Sequence, residues 1–172
     1  MSVTSWWRRK SALLLVMAIL CGTASAASFR TIDEVTSGAW RAVLYENENG
    51  ARRFCALESD ASDGSVFRVA LYLDNRDAFI EVYNPSWSLR EAAATFSFAF
   101  DNGMRAELRG QTYPTAYVYN LIDKRRSEVL LGMLGVHNRV DVKNANGETV
   151  AQFSLRGSGA MVGAFAQCAG GL

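Results

Sequence analysis

Imidazole is the commonest general base in enzymes, so the one histidine of this chain is the first candidate for chemistry. His137 lies between Val136 and Asn138. As a base it would need a nucleophile and an orienting carboxylate from other parts of the chain. The sequence has no Gly-x-Ser-x-Gly elbow, and residues 156–159 (Arg-Gly-Ser-Gly) lack that spacing. We therefore expect His137 to be a surface or strand-end histidine, and we expect the chain not to be an enzyme.

Carboxylates are the next candidates. Asp60 with Asp63, and Asp74 with Asp77, lie in polar segments that could bring several oxygens to one calcium ion. Neither segment has the dense alternating ligands of an EF-hand loop, so we expect turn-forming roles. No spacing places two carboxylates together as the acid/base pair of a glycosidase. A single histidine also cannot build a zinc site unaided. The sequence therefore predicts no catalytic residue, no metal site and no cofactor.

Aromatic side chains offer a candidate recognition surface. Tyr117 and Tyr119 alternate along a predicted strand, so they share one side of it. If both sides of that strand were core, each hydroxyl would need a buried partner. We expect an exposed row instead, with a binding surface formed by Trp87, Tyr113, Tyr117 and Tyr119.

The N-terminal segment predicts export. Met1–Lys10 ends in three basic residues, 12–20 is an unbroken apolar run, and Ala24-Ser25-Ala26 has the small-x-small pattern of a cleavage site. The apolar run is about half the roughly 20 residues that span a bilayer. We expect a Sec-type signal peptide over 1–26, cleavage before Ala27, and no transmembrane anchor afterwards. The mature protein, 27–172, is expected to be a single β-rich domain in the periplasm or at the cell surface, or secreted.

Cysteine usage agrees with that compartment. Cys21 leaves with the leader, and Cys55 and Cys168 remain as an even pair in an exported chain. Such a pair predicts one disulfide. Closing so long a loop would restrict the unfolded chain by about 4–5 kcal/mol in the entropy model.

The net charge of the chain limits the kinds of partner that we expect. The leader holds three of the 18 basic residues and none of the 17 acidic ones, so the mature chain carries a small negative charge. Nucleic-acid binding needs a cationic face and is therefore not expected. Two short basic clusters, 52–53 and 124–126, are expected to be solvated loop ends. The partner expected for this chain is another protein or an envelope component.

The elements that position these residues are predicted to be mainly strands. Thr95–Phe100 and Met104–Arg109 alternate apolar and polar residues on either side of Asp101-Asn102-Gly103, which is a strong hairpin signal. Comparable segments rich in aromatic and β-branched residues, separated by Gly, Asn and Asp, predict further strands at 38–45, 53–58, 66–73, 78–83, 113–120, 136–143 and 148–155.

Two helices are predicted beside the strands. Ser127 is expected to cap a short helix over 127–134 whose Val129, Leu130 and Met133 share a face. Ser158 is expected to cap a terminal helix that runs to about Cys168. The predicted fold is mainly β: an antiparallel β-sandwich or partly closed barrel of about eight to ten short strands with one or two short helices, including a C-terminal helix.

Three segments of the mature chain carry a resemblance to a known family. They are 39–43 (Ala-Trp-Arg-Ala-Val), 53–57 (Arg-Phe-Cys-Ala-Leu) and 150–160 (Val-Ala-Gln-Phe-Ser-Leu-Arg-Gly-Ser-Gly-Ala). With the leader, they resemble the invasion-associated locus B family of exported proteobacterial proteins. The chain departs from that family in lacking further central cysteines and in its terminal Cys168. The resemblance implies a periplasmic or surface β protein of envelope or host interaction, with no enzymatic residues to transfer.

The functional hypothesis from the sequence is an exported, non-enzymatic binding or envelope/host-interaction protein stabilised by one disulfide. One alternative is a periplasmic inhibitor or immunity protein that blocks a toxin or hydrolase by presenting a loop. Another is a small hydrolase or a lipocalin-like carrier whose site is assembled from dispersed residues.

Overall fold

The computed structural model describes residues 29–170, which form ten strands and two helices. The predicted signal peptide and its cleavage site lie outside the described residues. In chain order the elements are β1 (Phe29–Ser37), β2 (Trp40–Asn47), β3 (Arg53–Asp60), β4 (Val66–Tyr72), β5 (Ala78–Tyr83), β6 (Ala92–Phe100), β7 (Arg105–Tyr113), β8 (Ala116–Asn120), α1 (Lys124–Val136), β9 (Arg139–Lys143), β10 (Thr149–Ser154) and α2 (Ser158–Cys168).

The ten strands form one sheet in which every neighbouring pair is antiparallel, in the order β1-β2-β3-β4-β5-β8-β7-β6-β9-β10. Across the described residues the sheet does not close, because β1 and β10 do not pair. The two ends still approach each other, since the indole Nε1 of Trp40 donates to the carbonyl of Ser154 at 2.6 Å. The predicted fold class, mainly antiparallel β with two helices including a C-terminal one, is confirmed.

Aromatic rings fill the centre of the folded-over sheet. The ring of Phe67 on β4 lies 5.4 Å from that of Phe98 on β6 and 5.5 Å from that of Phe153 on β10. Trp40 packs edge-on against Phe67 at 5.5 Å. All four side chains are fully buried. Rings from distant strands therefore occupy the space that a carrier of the lipocalin type would keep open for its ligand.

The β6–β7 hairpin is as predicted. Phe96, Phe98 and Phe100 are buried on one face of β6, and Ala99 pairs with Arg105 after the turn. Gly103 in that turn has φ of 84°, a conformation that glycine adopts without strain. Short-range turn chemistry and period-two alternation act together here, and the prediction is confirmed.

The first strand was not predicted. β1 pairs along β2 but is exposed on both sides for most of its length. Its sequence alternates weakly and carries Asp33 and Glu34, because an edge strand with little to bury needs few apolar residues. The register shifts between Thr31 and Asp33, and such an irregularity together with charge is how natural sheets protect an edge.

The first helix begins earlier than predicted, and its cap is a different residue. Asp123 caps α1 by accepting from the backbone N–H of Arg126 at 3.1 Å, while the hydroxyl of Ser127 donates to the Asp123 carbonyl. Val129, Leu130 and Met133 line the same surface groove, so the predicted shared face is confirmed, although Val129 is 57% exposed on it. The buried face of the helix is Leu130, Leu131, Met133 and Leu134.

The bounds predicted for the terminal helix are confirmed, but the predicted cap is wrong. Gly157 takes the capping position with φ of 90°, and a Cβ there would lie 2.1 Å from the carbonyl oxygen of Ser37. The hydroxyl of Ser158 is buried and lies 2.6 Å from the carbonyl oxygens of both Leu134 and Leu155. Ser158 therefore ties α2 to the end of α1 instead of capping its own helix.

The predicted disulfide is confirmed. Cys55 on β3 is bonded to Cys168 at the end of α2, with 5.9 Å between their Cα atoms. The bond closes a loop across a sequence separation of 113 residues. It holds α2 against the strands β1 to β3 that the helix packs upon.

Candidate binding groove

His137 lies at the C-terminal end of α1 and contacts a carboxylate. Its Nδ1 is 3.1 Å from Oδ1 of Asp101, and its ring packs 5.0 Å from that of Phe100. The backbone and side-chain N–H groups of Asn138 both donate to Asp101 at 3.2 Å. In residues 29–170 no serine, threonine or cysteine side chain hydrogen-bonds to His137. These contacts join the β6–β7 turn to the start of β9, so they hold two elements of the fold together.

The hydrogen bonds to Asp101 also set its acidity. Desolvation of the carboxylate acts to raise its pKa, but the hydrogen bonds from Asn138 and His137 outweigh that effect and hold the pKa below the ordinary value. Asp101 therefore favours its ionised form, the form that accepts these three bonds.

The aspartates of the two polar loops make the local contacts of turns. Asp63 accepts from the backbone of Ser65 at 2.9 Å, and Asp77 accepts from the side chain of Asn75 at 2.6 Å. Asp60 and Asp74 each pair with an arginine of a neighbouring strand or loop. Between residues 29 and 170 no group of three or more His, Cys, Asp or Glu side chains is arranged to hold a metal ion. Nor does that range contain a helix long and apolar enough to cross a membrane.

The predicted aromatic surface is divided between core and exterior. Tyr117 is only 7% exposed, and its ring packs 5.5 Å from both Trp87 and Phe96. Burial raises the pKa of its phenol. Tyr113 is 42% exposed, and Tyr119 is partly exposed. The four residues therefore do not form one exposed row, but Tyr113 and Tyr119 do line a common surface groove.

We call this feature the α1–β7 groove. It has two open lobes, of about 890 and 440 Å³, which share Arg109, Tyr119, Asp123 and Arg126. One wall is formed by consecutive residues of β7, and the other by α1 with the residues just before it. The lining is Ala106–Gln111, Tyr113, Val118–Asn120, Ile122, Asp123, Arg125, Arg126, Val129, Leu130 and Met133.

The groove exists because two neighbouring strands separate. β7 pairs with β6 from Arg105 to Thr112, but it pairs with β8 only from Gln111 to Tyr113. At Gly110 the β8 backbone passes so close that a Cβ would lie 2.0 Å from the Val118 carbonyl oxygen. Glycine is required for this approach, and beyond it β7 continues without β8 beside it. The helix α1, which follows β8 in the chain, lies over the gap.

The chemistry of the groove is an apolar floor with a cationic rim. Leu108, Leu130 and Met133 are buried beneath it. At the rim, Nε of Arg109 is 3.8 Å from Glu107, and Nε of Arg126 is 3.7 Å from Asp123. These contacts are long, and the two arginine side chains are 86% and 79% exposed. Arg125 has no hydrogen bond or ion pair in the described part of the chain.

A second set of arginines lies on the outer face of β2 to β5. Arg41, Glu58, Arg68 and Glu81 are directly paired across four neighbouring strands, and we call them the ionic row. Glu58 is fully buried. Its carboxylate accepts from Nε of Arg68 at 2.6 Å, from Nε of Arg41 at 2.9 Å and from the Tyr45 hydroxyl at 3.1 Å.

The charges of the ionic row are balanced by one another and by Asp60. The side-chain hydrogen bond to Asp60 outweighs desolvation and, with Glu58, raises the pKa of Arg41. Desolvation opposes the charge of Arg68, but Glu58 and Glu81 raise its pKa above the ordinary value. Burial and the nearby Glu58 raise the pKa of the Tyr45 phenol. Every charge in the row therefore has a close partner, and Glu58 is engaged as an acceptor from three donors.

Sequence reasoning missed both arginine sets. The cluster at 124–126 was expected to be a solvated loop end, but it forms the first turn of α1, and Arg125 and Arg126 line the groove. One signal was present: Gly110 interrupts the side-chain alternation of β7 at the point where the strands part. The ionic row gave a weaker signal, a charged residue within each of four strands.

Comparison with protein-family models found no match to this chain, and comparisons with curated proteins and with solved structures found none either.

Proposed function

We propose that this chain is an exported, non-enzymatic binding protein that recognises another protein through the α1–β7 groove. One observation carries the proposal: an open groove that combines a buried apolar floor with exposed arginines, of which Arg109 and Arg126 make only long carboxylate contacts and Arg125 makes none in the described part of the chain. Charged side chains at the rim of an interface steer a partner and fix its register, while apolar floor contacts supply affinity.

The disulfide supports the exported part of the proposal. Structural disulfides form and persist in oxidising compartments such as the periplasm. The basic and apolar pattern of the first 26 residues points the same way, as does the resemblance to an exported family. N-terminal sequencing of the protein isolated from cell envelopes is expected to begin at Ala27. An intact leader on a cytosolic product would contradict export.

The shape of the site favours this function over the other hypotheses. Small-molecule sites enclose most of their ligand, whereas this groove is open along its length. A carrier needs an internal cavity, but Trp40, Phe67, Phe98 and Phe153 fill the centre of the sheet. An inhibitor that blocks an enzyme with a loop presents a protruding element, whereas the feature described here is concave.

The arrangement around His137 supports the non-enzymatic part. The ring nitrogen Nδ1 contacts Asp101, and the carboxylate is further held by Asn138. The His137 side chain is 12% exposed and lies where the end of α1, the β6–β7 turn and the start of β9 meet. Replacing His137 with alanine is expected to leave partner binding unchanged.

Site-specific photocrosslinking in cells of the producing organism tests the proposal. A photoreactive phenylalanine analogue replaces Val129 in the groove, and a matched variant carries it at Ile32 on β1. Both positions are exposed apolar residues, at 57% and 44%. We expect a discrete adduct with one envelope protein from position 129 alone. No adduct from position 129, or the same adduct from both positions, would overturn the proposal.

A further inference from the structure

We infer that the partner of the α1–β7 groove is an extended acidic segment that adds a strand to the free edge of β7. This inference rests on the proposed function, because it names how the same groove would hold its partner.

The free edge is defined by strand pairing. Every interior strand of a sheet has two edges, and β7 uses one of them for β6 along almost its whole length. Its other edge is used by β8 only from Gln111 onward. β8 also closely approaches Gly110, so the backbone donors and acceptors on that side face the groove instead of a strand from Arg105 to Arg109.

The groove lining supports this assignment independently. Successive side chains of a strand point to opposite faces, so consecutive residues line one groove only if the strand presents its backbone edge to it. Ala106–Arg109 line the larger lobe of the groove without a break. An unpaired edge of this kind is a template for an added strand, a recurring mode of peptide recognition.

The two outer edges of the sheet are protected, unlike the edge of β7. β1 carries a register shift between Thr31 and Asp33 together with acidic side chains. At the other end, the carbonyls of Ser154 and Arg156 accept from Trp40 and Ala39. Natural proteins protect sheet edges in such ways. The β7 edge has no register shift, and an open lobe of about 890 Å³ lies between it and α1.

The dimensions suit a short segment. Five extended residues span about 17 Å, and a new strand would lie about 4.8 Å from β7. Alternate side chains of the added strand would point inward, where Leu108 and Met133 lie, and outward, where Arg109 lies. The groove would thus select a segment in which apolar and acidic residues alternate.

Charge favours an acidic segment over a basic one. Arg109, Arg125 and Arg126 line the groove against the two carboxylates of Glu107 and Asp123. Those two carboxylates already lie near Arg109 and Arg126, so Arg125 is in excess. Glutamates on the incoming strand would bring the short, charge-assisted hydrogen bonds that these guanidinium groups lack.

The test uses the mature protein, residues 27–172, and a defined peptide. The probe is an eight-residue peptide of alternating glutamate and valine, acetylated and amidated at its ends. Amide hydrogen exchange is measured by NMR with and without the peptide. We expect the saturating peptide to slow exchange at the groove-facing amides within 105–109 by about tenfold or more, while amides of β1 stay unchanged.

Two altered peptides separate strand addition from charge attraction. The first carries N-methyl groups on two adjacent central residues, which removes a donor from each edge. The second replaces every glutamate with lysine. We expect each to bind about tenfold more weakly or worse. If the N-methylated peptide binds as tightly as the parent, the carboxylates alone are recognised and strand addition is refuted.

A matched pair of variants tests the site. Arg109→Glu with Arg126→Glu alters the groove, while Arg139→Glu with Arg156→Glu makes the same charge change outside it. Only the first pair is expected to weaken peptide binding, by about tenfold or more. Equal weakening in both variants would reduce the interaction to net charge and overturn the inference.

The remaining outcomes distinguish this inference from the proposed function. If the peptide fails to bind but Arg126→Glu abolishes the crosslink from position 129, the groove binds a protein without strand addition. If β7 amides are protected without peptide in a chain that light scattering shows to be dimeric, the edge belongs to a second copy. Either result overturns the inference. If the peptide binds as expected but position 129 gives no adduct, the proposed function fails instead.

Discussion

The ionic row and the α1–β7 groove use the same side chain in opposite ways. Nε of Arg68 lies 2.6 Å from the carboxylate of the fully buried Glu58, and the Arg68 side chain is 26% exposed. Nε of Arg109 has its carboxylate 3.8 Å away, and that arginine is 86% exposed. An arginine that is held in register beside a buried carboxylate supports the fold, whereas a loosely paired and exposed arginine keeps its donors available to a partner.

Energetics explain why the two sets cannot exchange roles. A buried charge that loses a partner leaves an uncompensated ion, at a cost of about 3–5 kcal/mol. An exposed pair contributes about 0–1 kcal/mol. Substitutions of the charged residues in the row should therefore change stability, and substitutions of the groove arginines should change binding alone.

The largest effect is expected at the disulfide, which shares strand β3 with Glu58. Replacing Cys55 and Cys168 with alanine should lower the free energy of unfolding by about 4 kcal/mol, because the unfolded chain regains a long loop. Urea denaturation of the oxidised wild type and the double variant measures this. A loss below about 1 kcal/mol would mean that α2 is held by packing alone.

The next effect is expected at the centre of the ionic row. Glu58→Ala should cost about 3 kcal/mol, the lower end of the range for a broken buried pair, since Arg41 and Arg68 can still reach water. Urea denaturation gives the value, and Arg109→Ala is the matched groove control, with an expected change within about 0.5 kcal/mol. Equal losses of unfolding free energy in the two variants would show that the row and the groove do not differ in their contribution to stability.

A pair of glycine substitutions tests how the groove is built. Gly110→Ala places a Cβ 2.0 Å from the Val118 carbonyl oxygen and should destabilise the protein by about 1–3 kcal/mol, as overpacking does. Gly132→Ala on the exposed face of α1 meets nothing within 4 Å and should stabilise it by about 0.5–1 kcal/mol. Thermal unfolding of both variants compares them. A neutral Gly110→Ala would show that β7 and β8 do not approach there.

The smallest effect concerns pH. The pKa of Asp101 is lower in the folded protein than in the unfolded chain, so its ionised form stabilises the fold above about pH 4. That contribution is lost as the pH falls through the folded-state pKa. Between about pH 2 and 6, we expect the stability of the wild type to fall more steeply than that of Asp101→Asn. Parallel curves would show that the contacts of His137 and Asn138 do not depend on this charge.

Local features were predictable from the sequence. The β6–β7 hairpin follows from alternation around Asp101-Asn102-Gly103, and the disulfide follows from two cysteines in a chain whose first 26 residues predict export. The bounds of α2 follow from its apolar spacing after Gly157. The hairpin and α2 depend on residues that are near one another in sequence. The disulfide was predictable because two cysteines can pair in only one way.

Features that depend on distant contacts were not predictable. Alternation shows that Tyr117 and Tyr119 share a side of β8, but which side faces the core depends on how β8 pairs with β5 and β7. β1 has an edge position and little burial, so it has no clear pattern. The groove depends on where β7 parts from β8, and the ionic row depends on the mutual register of four strands. Neither is encoded in a short segment.

One measurement tests the separation of structural and binding arginines most directly. Arg41→Ala in the ionic row and Arg126→Ala in the groove are compared for urea stability and for the yield of the crosslinked adduct from position 129. We predict that Arg41→Ala lowers stability and, where still folded, keeps the adduct, whereas Arg126→Ala unfolds like the wild type and loses it. If Arg126→Ala keeps the adduct while a folded Arg41→Ala loses it, the two sets of arginines do not have these separate roles.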